Sequence, residues 1–339
     1  MEFRKNHAYK DSDGILTQGF YSTKVKLVKS GSMVELYKFG RDIFLGHKPK
    51  AIQTKEGLLA EQERKEALTK EAEKEGLTLE EYLAREKAKL KPSPEELLRF
   101  SAQRAKRQIR RLIYCNSFRW FKNDGKPYQP ITLTLTFKEN ITNLKSANYE
   151  FTKFIRRLNY ETNRIEGKDL KQSNLKYLAV FELQQRGAIH YHMIFFNLPY
   201  IPDIYNKLRD IWGQGRIMVG GKHRKMEKIK TRGQLQKIIG YFIKYIQKSI
   251  FEKQFPNQKK YITSKDLLKP QITYFEEVVD IIERQLPESN LVFKHEGSKD
   301  YAENLTAMNY IKWVDYFQYD LAKNPEAEQE VDYMLNTYS

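Results

Sequence analysis

Glu182-Leu183-Gln184-Gln185-Arg186-Gly187-Ala188-Ile189-His190-Tyr191-His192-Met193-Ile194-Phe195-Phe196 is the stretch on which the reading of the fold turns. Tyr177 to Glu182 and Ile189 to Phe196 read as two strands paired around the polar turn Gln184-Gln185-Arg186-Gly187. Side chains alternate along a strand, so His190 and His192 fall on one face, ~7 Å apart, with Tyr191 on the other. Glu182 joins the two imidazoles if the hairpin pairs it with His190, which requires an odd number of loop residues. Two histidines and a carboxylate form a ligand set for a divalent ion, with positions left open for phosphate oxygens. Oxygen-rich substrates then favour Mg²⁺ or Mn²⁺. The plainer reading is that alternating histidines are structural.

Working outward, Ile131-Thr132-Leu133-Thr134-Leu135-Thr136-Phe137 is a strict alternation rich in β-branched residues. Its apolar members face a core and its threonines face the other way. A helix is expected between Leu144 and Tyr160, a shorter one over Ile204 to Trp212, a strand over Gly215 to Val219, and a long helix over Gln234 to Phe251. The order β-α-β-β-α-β-α predicts an α+β fold with a ferredoxin-like layout, an antiparallel sheet with helices on one face.

The long helix carries Tyr241-Phe242-Ile243-Lys244-Tyr245-Ile246-Gln247-Lys248, in which Tyr-x-x-Lys occurs twice, four residues apart. Ile239, Phe242, Ile246 and Ile250 form the apolar stripe, and Tyr241 and Tyr245 lie one turn apart on its flank. Edge-of-core packing explains two such phenols as well as chemistry does. As nucleophiles they need help, because a phenol titrates near 10. A metal on the scissile phosphate and a nearby lysine supply it. The product is then a 5′-phosphotyrosine and a 3′ hydroxyl, with the bond energy kept for rejoining.

The flanks divide by composition. Residues 1–55 form a small β-rich region, with short strands at Tyr21 to Leu27 and Met33 to Tyr37. Residues 56–127 turn to Glu, Lys, Ala, Leu and Arg. Thr78-x-x-Glu81 and Ser93-Pro94-x-Glu96 are capping boxes that predict successive helices. The last of these presents Arg107, Arg110 and Arg111, either a solvated face or a contact for DNA backbone. The loop residues Lys222, Arg224 and Lys225 are a second basic candidate. Residues 128–251 are the catalytic core, and 252–339 a mixed α/β region packing on it. In that last region a helix is expected over Glu276 to Leu286, a strand over Leu291 to Lys294 and a helix over Tyr310 to Leu321. The final dozen residues are expected to fray.

Composition bounds the partners. Against 43 Asp and Glu stand 60 Lys and Arg, a net charge of +17 in 339 residues, which points to a polyanion. The 22 Tyr and 19 Phe among those cations add surfaces on which exposed bases can stack. Cys115 is the only cysteine, which excludes an intrachain disulfide and a cysteine-cluster zinc site. No apolar run has the length of a membrane span and no secretory signal opens the chain, so a cytoplasmic protein is expected.

Taken together, Ile131–Phe137, Glu182…His190-Tyr191-His192 and Tyr241-x-x-Lys244-Tyr245-x-x-Lys248 resemble the three ordered motifs of the HUH endonuclease superfamily. The doubled tyrosine resembles the two-tyrosine rolling-circle replication initiators of phages and plasmids. The resemblance implies His190 and His192 as metal ligands with Glu182 as the third. It implies Tyr241 as leading nucleophile and Tyr245 as the second, supported by Lys244 and Lys248. The expected partner is single-stranded DNA at a replication origin. No Gly-x-x-x-x-Gly-Lys-Ser/Thr loop occurs, so unwinding and synthesis fall to a host helicase and polymerase. A relaxase or single-strand transposase shares this chemistry. A nucleic-acid-binding regulator that does not cut is the alternative from another class.

Overall fold

A computed structural model describes residues 9–10, 16–17, 21–45, 55–89, 93–184, 187–220, 229–251, 261–297 and 313–338. It is a mixed α+β architecture. Two five-stranded antiparallel sheets are flanked and separated by helices. The N-terminal strands β1 (Tyr9–Lys10) and β2 (Leu16–Thr17) form a separate two-stranded ladder.

The first sheet is built from β5 (Ile131–Thr136), β6 (Tyr177–Leu183), β7 (Ile189–Phe195), β8 (Ile217–Val219) and β9 (Tyr261–Thr263), in the order β8-β5-β7-β6-β9. With α4 (Leu144–Glu166), α5 (Ile204–Trp212) and α6 (Arg232–Phe251), the order expected over 131–251 is the order found. The alternation in β5 has its expected effect, with Ile131, Leu133 and Leu135 buried. They join Phe181, Tyr191, Met193 and Phe195 against Phe151 and Phe154 of α4 and Leu208 and Trp212 of α5. Asn143 starts α4 by accepting from the Ser146 amide at 3.0 Å, and Gly167 ends it in the left-handed region.

The opposite face is not left open, which corrects the expectation of helices on one side only. Leu178, Val180, Ile194 and Phe196 are covered by Leu235, Ile239 and Phe242 of α6 and by Ile109, Leu112 and Ile113 of α3 (Pro94–Asn116). The cause is chemical, because these strands carry apolar residues on both faces and both must be covered. Upstream lie α1 (Lys55–Lys74) and α2 (Leu79–Lys89). Both predicted capping boxes form. Thr78 with Glu81 precedes α2, and Ser93 with Glu96 opens α3.

The second sheet has the order β10-β3-β4-β12-β11. It joins β3 (Tyr21–Ser30) and β4 (Met33–Leu45) to β10 (Gln271–Thr273), β11 (Leu291–His295) and β12 (Val314–Asp320). Its outer face packs on α7 (Glu276–Gln285) and α8 (Pro325–Tyr338). Two expectations fail here. Val314–Asp320 is a strand, not part of a helix, because it alternates across the sheet between β4 and β11 with Val314, Tyr316 and Tyr319 buried. The C-terminal residues do not fray, since Ala327, Val331, Met334 and Leu335 give α8 a buried stripe. No helix among the described residues is long and apolar enough to cross a membrane.

Helix α3 lies between the sheets, and its seam holds a buried polar network. Arg111 Nε donates to Glu35 Oε2 at 2.6 Å. Its Nη2 donates to the Tyr37 hydroxyl at 2.8 Å, while Tyr37 and Tyr316 each donate to Glu35 Oε1 at 3.0 and 2.9 Å. Burial pushes the Glu35 carboxyl up, but the Arg111 charge and these hydrogen bonds bring it below the ordinary carboxylate value. The turn nearby, at Gly31, has φ +59°, and a Cβ there would meet the Tyr114 carbonyl of α3 at 2.6 Å. A side chain at that position would part the second sheet from α3.

Removing one partner of a buried pair leaves the other charge without compensation. Arg111→Leu should therefore lower the unfolding free energy in urea by roughly 3–5 kcal/mol. Glu35 has a depressed folded pKa, so its contribution is complete above the unfolded value near 4.5 and is lost as pH falls through the folded value. The stability difference between wild type and Glu35→Gln should thus be largest near neutrality and shrink in acid.

Candidate functional site

The face of the first sheet toward α6 changes character along its length. Register sets the change. Thr134 stands opposite His192 and Thr136 opposite His190 across β5 and β7. Glu182 stands opposite His190 and Val180 opposite His192 across β6 and β7. One end of the face is therefore apolar, with Leu178, Val180 and Ile194 under α6, and the other collects threonine, histidine and glutamate. The pairing of Glu182 with His190 is the register the metal reading requires. Tyr191 points the opposite way. It is fully buried, stacks on Phe151 at 4.5 Å between centroids and donates to Asn148 Oδ1 at 2.7 Å. Burial pushes its phenol well above the ordinary range.

Helix α6 enters through a reciprocal cap. The Gln234 amide donates to Thr231 Oγ1 at 3.3 Å, and Gln234 Oε1 accepts from the Thr231 amide at 3.1 Å. Leu235, Ile239 and Phe242 then fix the helix on the sheet. This rotation brings the Tyr241 hydroxyl to 3.1 Å from Nδ1 of His192, with the rings at 90° and their centroids 5.4 Å apart. On its other nitrogen, Nε2, His192 lies 3.2 Å from Glu182 Oε1. Tyr241 is 36% exposed while His192 is 4% exposed, so the phenol sits where solvent and substrate can reach a buried imidazole.

Thr134 belongs to the same group, with Oγ1 3.1 Å from His192 Nδ1. The sequence placed its side chain on this face but gave no sign that it would touch the histidine. Lys244 is exposed on α6. The backbone of α6 runs through 245 and 248, but the side chains of Tyr245 and Lys248 lie outside the described residues. So do Lys222, Arg224 and Lys225.

His190 is 6% exposed on the same face. Glu182, His190 and His192 offer the right donor chemistry for a divalent ion, two imidazoles and a carboxylate. They are not drawn together as ligands. Among the described residues, no three His, Cys, Asp or Glu side chains are grouped to hold a metal ion. The close Glu182–His192 contact sets two of the donors on each other.

Of the basic candidates on α3, Arg110 is partly exposed and Arg107 half-buried, whereas Arg111 is 8% exposed. Arg111 is thereby corrected from a contact for DNA backbone to a partner of Glu35, since burial and its ion pair withdraw it from phosphates.

Over residues 130–250 the chain matches a family model described as a replication-associated protein of the ORF2 type. That span runs from the start of β5 almost to the end of α6 and contains Thr134, Glu182, His190, His192 and Tyr241. No curated protein and no solved structure matches the chain.

The two faces predict opposite responses to removal of a phenolic hydroxyl. Tyr191→Phe leaves a buried acceptor on Asn148 and should cost about 1–2 kcal/mol. Tyr241→Phe, at a partly exposed position, should move the urea unfolding free energy by no more than about 0.5 kcal/mol.

Proposed function

We propose that the chain is a replication initiator that nicks and rejoins single-stranded DNA through a 5′-phosphotyrosine. The observation that carries this reading is the Tyr241 hydroxyl within hydrogen-bonding distance of His192, on the face that also holds Glu182 and His190. A phenol serving only as edge-of-core packing has no need of a buried imidazole at its oxygen. The match of residues 130–250 to a replication-associated family supports the reading. So does the strand order β8-β5-β7-β6 with α4 and α5 on one face, which is consistent with the ferredoxin-like HUH layout.

In the proposed reaction the Tyr241 oxygen forms a bond to phosphorus as the bond from phosphorus to the 3′ oxygen breaks. The phenolic proton is lost and the leaving oxygen gains one, so a 3′ hydroxyl is released and no phosphodiester energy is spent. His190 and His192, with Glu182, would hold a divalent ion, Mg²⁺ or Mn²⁺. Such an ion withdraws charge from phosphorus and stabilises the leaving oxygen. With Nε2 of His192 as a donor atom, its Nδ1 carries the proton and can donate to a Tyr241 phenolate or to Thr134. That hydrogen bond fixes the ring, as outer partners of metal-bound histidines do. The exposed Lys244 adds positive charge beside the phenol for the crowded phosphate oxygens.

Tyr245, one turn on from Tyr241 in α6, is proposed as the second nucleophile, with Lys248 in the supporting place. While one tyrosine holds the first cut end, the other cuts the regenerated junction, so one site both starts and terminates a round of rolling-circle replication. Strand opening and synthesis are assigned to a host helicase and polymerase.

Denaturing gels of the protein incubated with single strands tiling the parent replicon's origin, in Mn²⁺, test this directly. Wild type should give a covalent band that EDTA abolishes and that His192→Ala reduces by about a hundredfold or more. Each of Tyr241→Phe and Tyr245→Phe should keep some band, and the double variant none. Loss of the band with Tyr241→Phe alone would leave one working nucleophile. No band with any strand would leave a protein that binds without cutting.

A further inference from the structure

A cleft of about 500 Å³ opens on the far flank of α6, between that helix, α3 and the second sheet. This volume falls in the ~300–1,000 Å³ range of sites that enclose small ligands. Its lining includes Arg110 and Tyr114 of α3, Gln236 and Gly240 of α6, and Phe293 and Gln318 from β11 and β12. No acidic side chain lines it among the described residues. A guanidinium, two amides and aromatic rings around a cavity of this size match the parts of one nucleotide. The cation suits the phosphate, the amides the edge of a base and a ring its face. Phe293 is 43% exposed although it is a large apolar residue at the mouth of a basic cleft.

Gly240 adds an independent observation. It stands inside a 20-residue helix, where glycine costs about 1 kcal/mol against alanine. Nothing in the protein requires it, because a Cβ there would meet no atom within 4 Å. A local rule broken without a structural reason marks a place where something else is accommodated. The missing side chain keeps the wall of the cleft open.

The cleft also lies on a path from the candidate site. Gly240 and Tyr241 are neighbours, about 100° apart around the helix. Lys237 and Lys244, both exposed, lie on the helix surface between the cleft flank and the tyrosine. A strand whose phosphate sits at Tyr241 can cross α6 over two lysines and reach the cleft within a few nucleotides. Duplex DNA cannot offer a base to such a cavity without unstacking it, which favours a single strand.

We infer that this cleft is a subsite for an unstacked base of the single-stranded DNA, held by Phe293 and Arg110 and admitted by Gly240. The inference rests on the strand-transfer reading for the identity of the strand but can be tested without cleavage. The probe is a fluorescein-labelled single strand of mixed sequence, about 20 nucleotides long, titrated with the full chain in EDTA. Phe293→Ala, which removes the ring, and Gly240→Leu, which fills the cavity, should each weaken binding about tenfold. Gly240→Ala and Tyr241→Phe should bind within about twofold of wild type. If Phe293→Ala and a folded Gly240→Leu both bind like wild type, the cleft is not a DNA subsite. Should Gly240→Leu fail to fold, Phe293→Ala decides alone, since its ring is already partly exposed. Equal sensitivity of a matched duplex to these variants would also overturn the inference. A wild-type chain that binds these strands but forms no adduct in Mn²⁺ defeats the strand-transfer reading, while the variants still decide the cleft.

Discussion

The candidate site depends on one pairing register. Thr134 opposite His192, and Glu182 opposite His190, place a hydroxyl, two imidazoles and a carboxylate on the same end of one sheet face. Side chains alternate strictly, so a slip of β7 by a single residue would turn both histidines into the core under α4 and expose Tyr191. That core opposes the slip. Tyr191 is enclosed by Phe151, Phe181 and Phe137, and its hydroxyl is held by Asn148. The aromatic packing on one face thus fixes the chemistry on the other.

A second layer of constraint comes from α3. The helix closes the apolar half of the histidine face and, on its other side, binds the second sheet through Arg111 and Glu35. It therefore holds α6 between a sheet that carries the histidines and a sheet that carries Phe293. The tyrosine contact and the cleft are consequences of the same placement of α6, one on each flank. A polar network at this seam also specifies how the two sheets meet, because Glu35 finds its donors only when α3, β4 and β12 are in place together.

Much of the first sheet was legible because its signals are local. Alternation in Ile131–Phe137, the hairpin around Gln184–Gly187 and the Ile239 and Phe242 part of the α6 stripe each occupy one short window, and each formed as read. The second sheet was not legible for the opposite reason. Its β10 is three residues long and pairs with β3, far away in the chain. Val314–Asp320 has an aromatic and acidic pattern that suits either a helix or a strand, and only the open edge of β4 decides it. The basic helix shows the same limit. Arg107, Arg110 and Arg111 look alike in sequence, and only the buried Glu35 of β4 separates Arg111 from the others. At the site, the residues could be listed from the sequence, but the hydrogen bond between Tyr241 and His192 could not. It depends on the rotation of α6, which Leu235, Ile239 and Phe242 set together.

The central claim is that the phenol beside His192 is the atom that takes the DNA strand. The most direct measurement is mass spectrometry of the covalent adduct after nuclease and protease digestion, reading which residue carries the 5′-phosphorylated nucleotide. The account predicts the modification on the α6 peptide, at Tyr241 or its partner Tyr245. A nucleotide on any tyrosine outside α6, or on a serine or histidine, would contradict it.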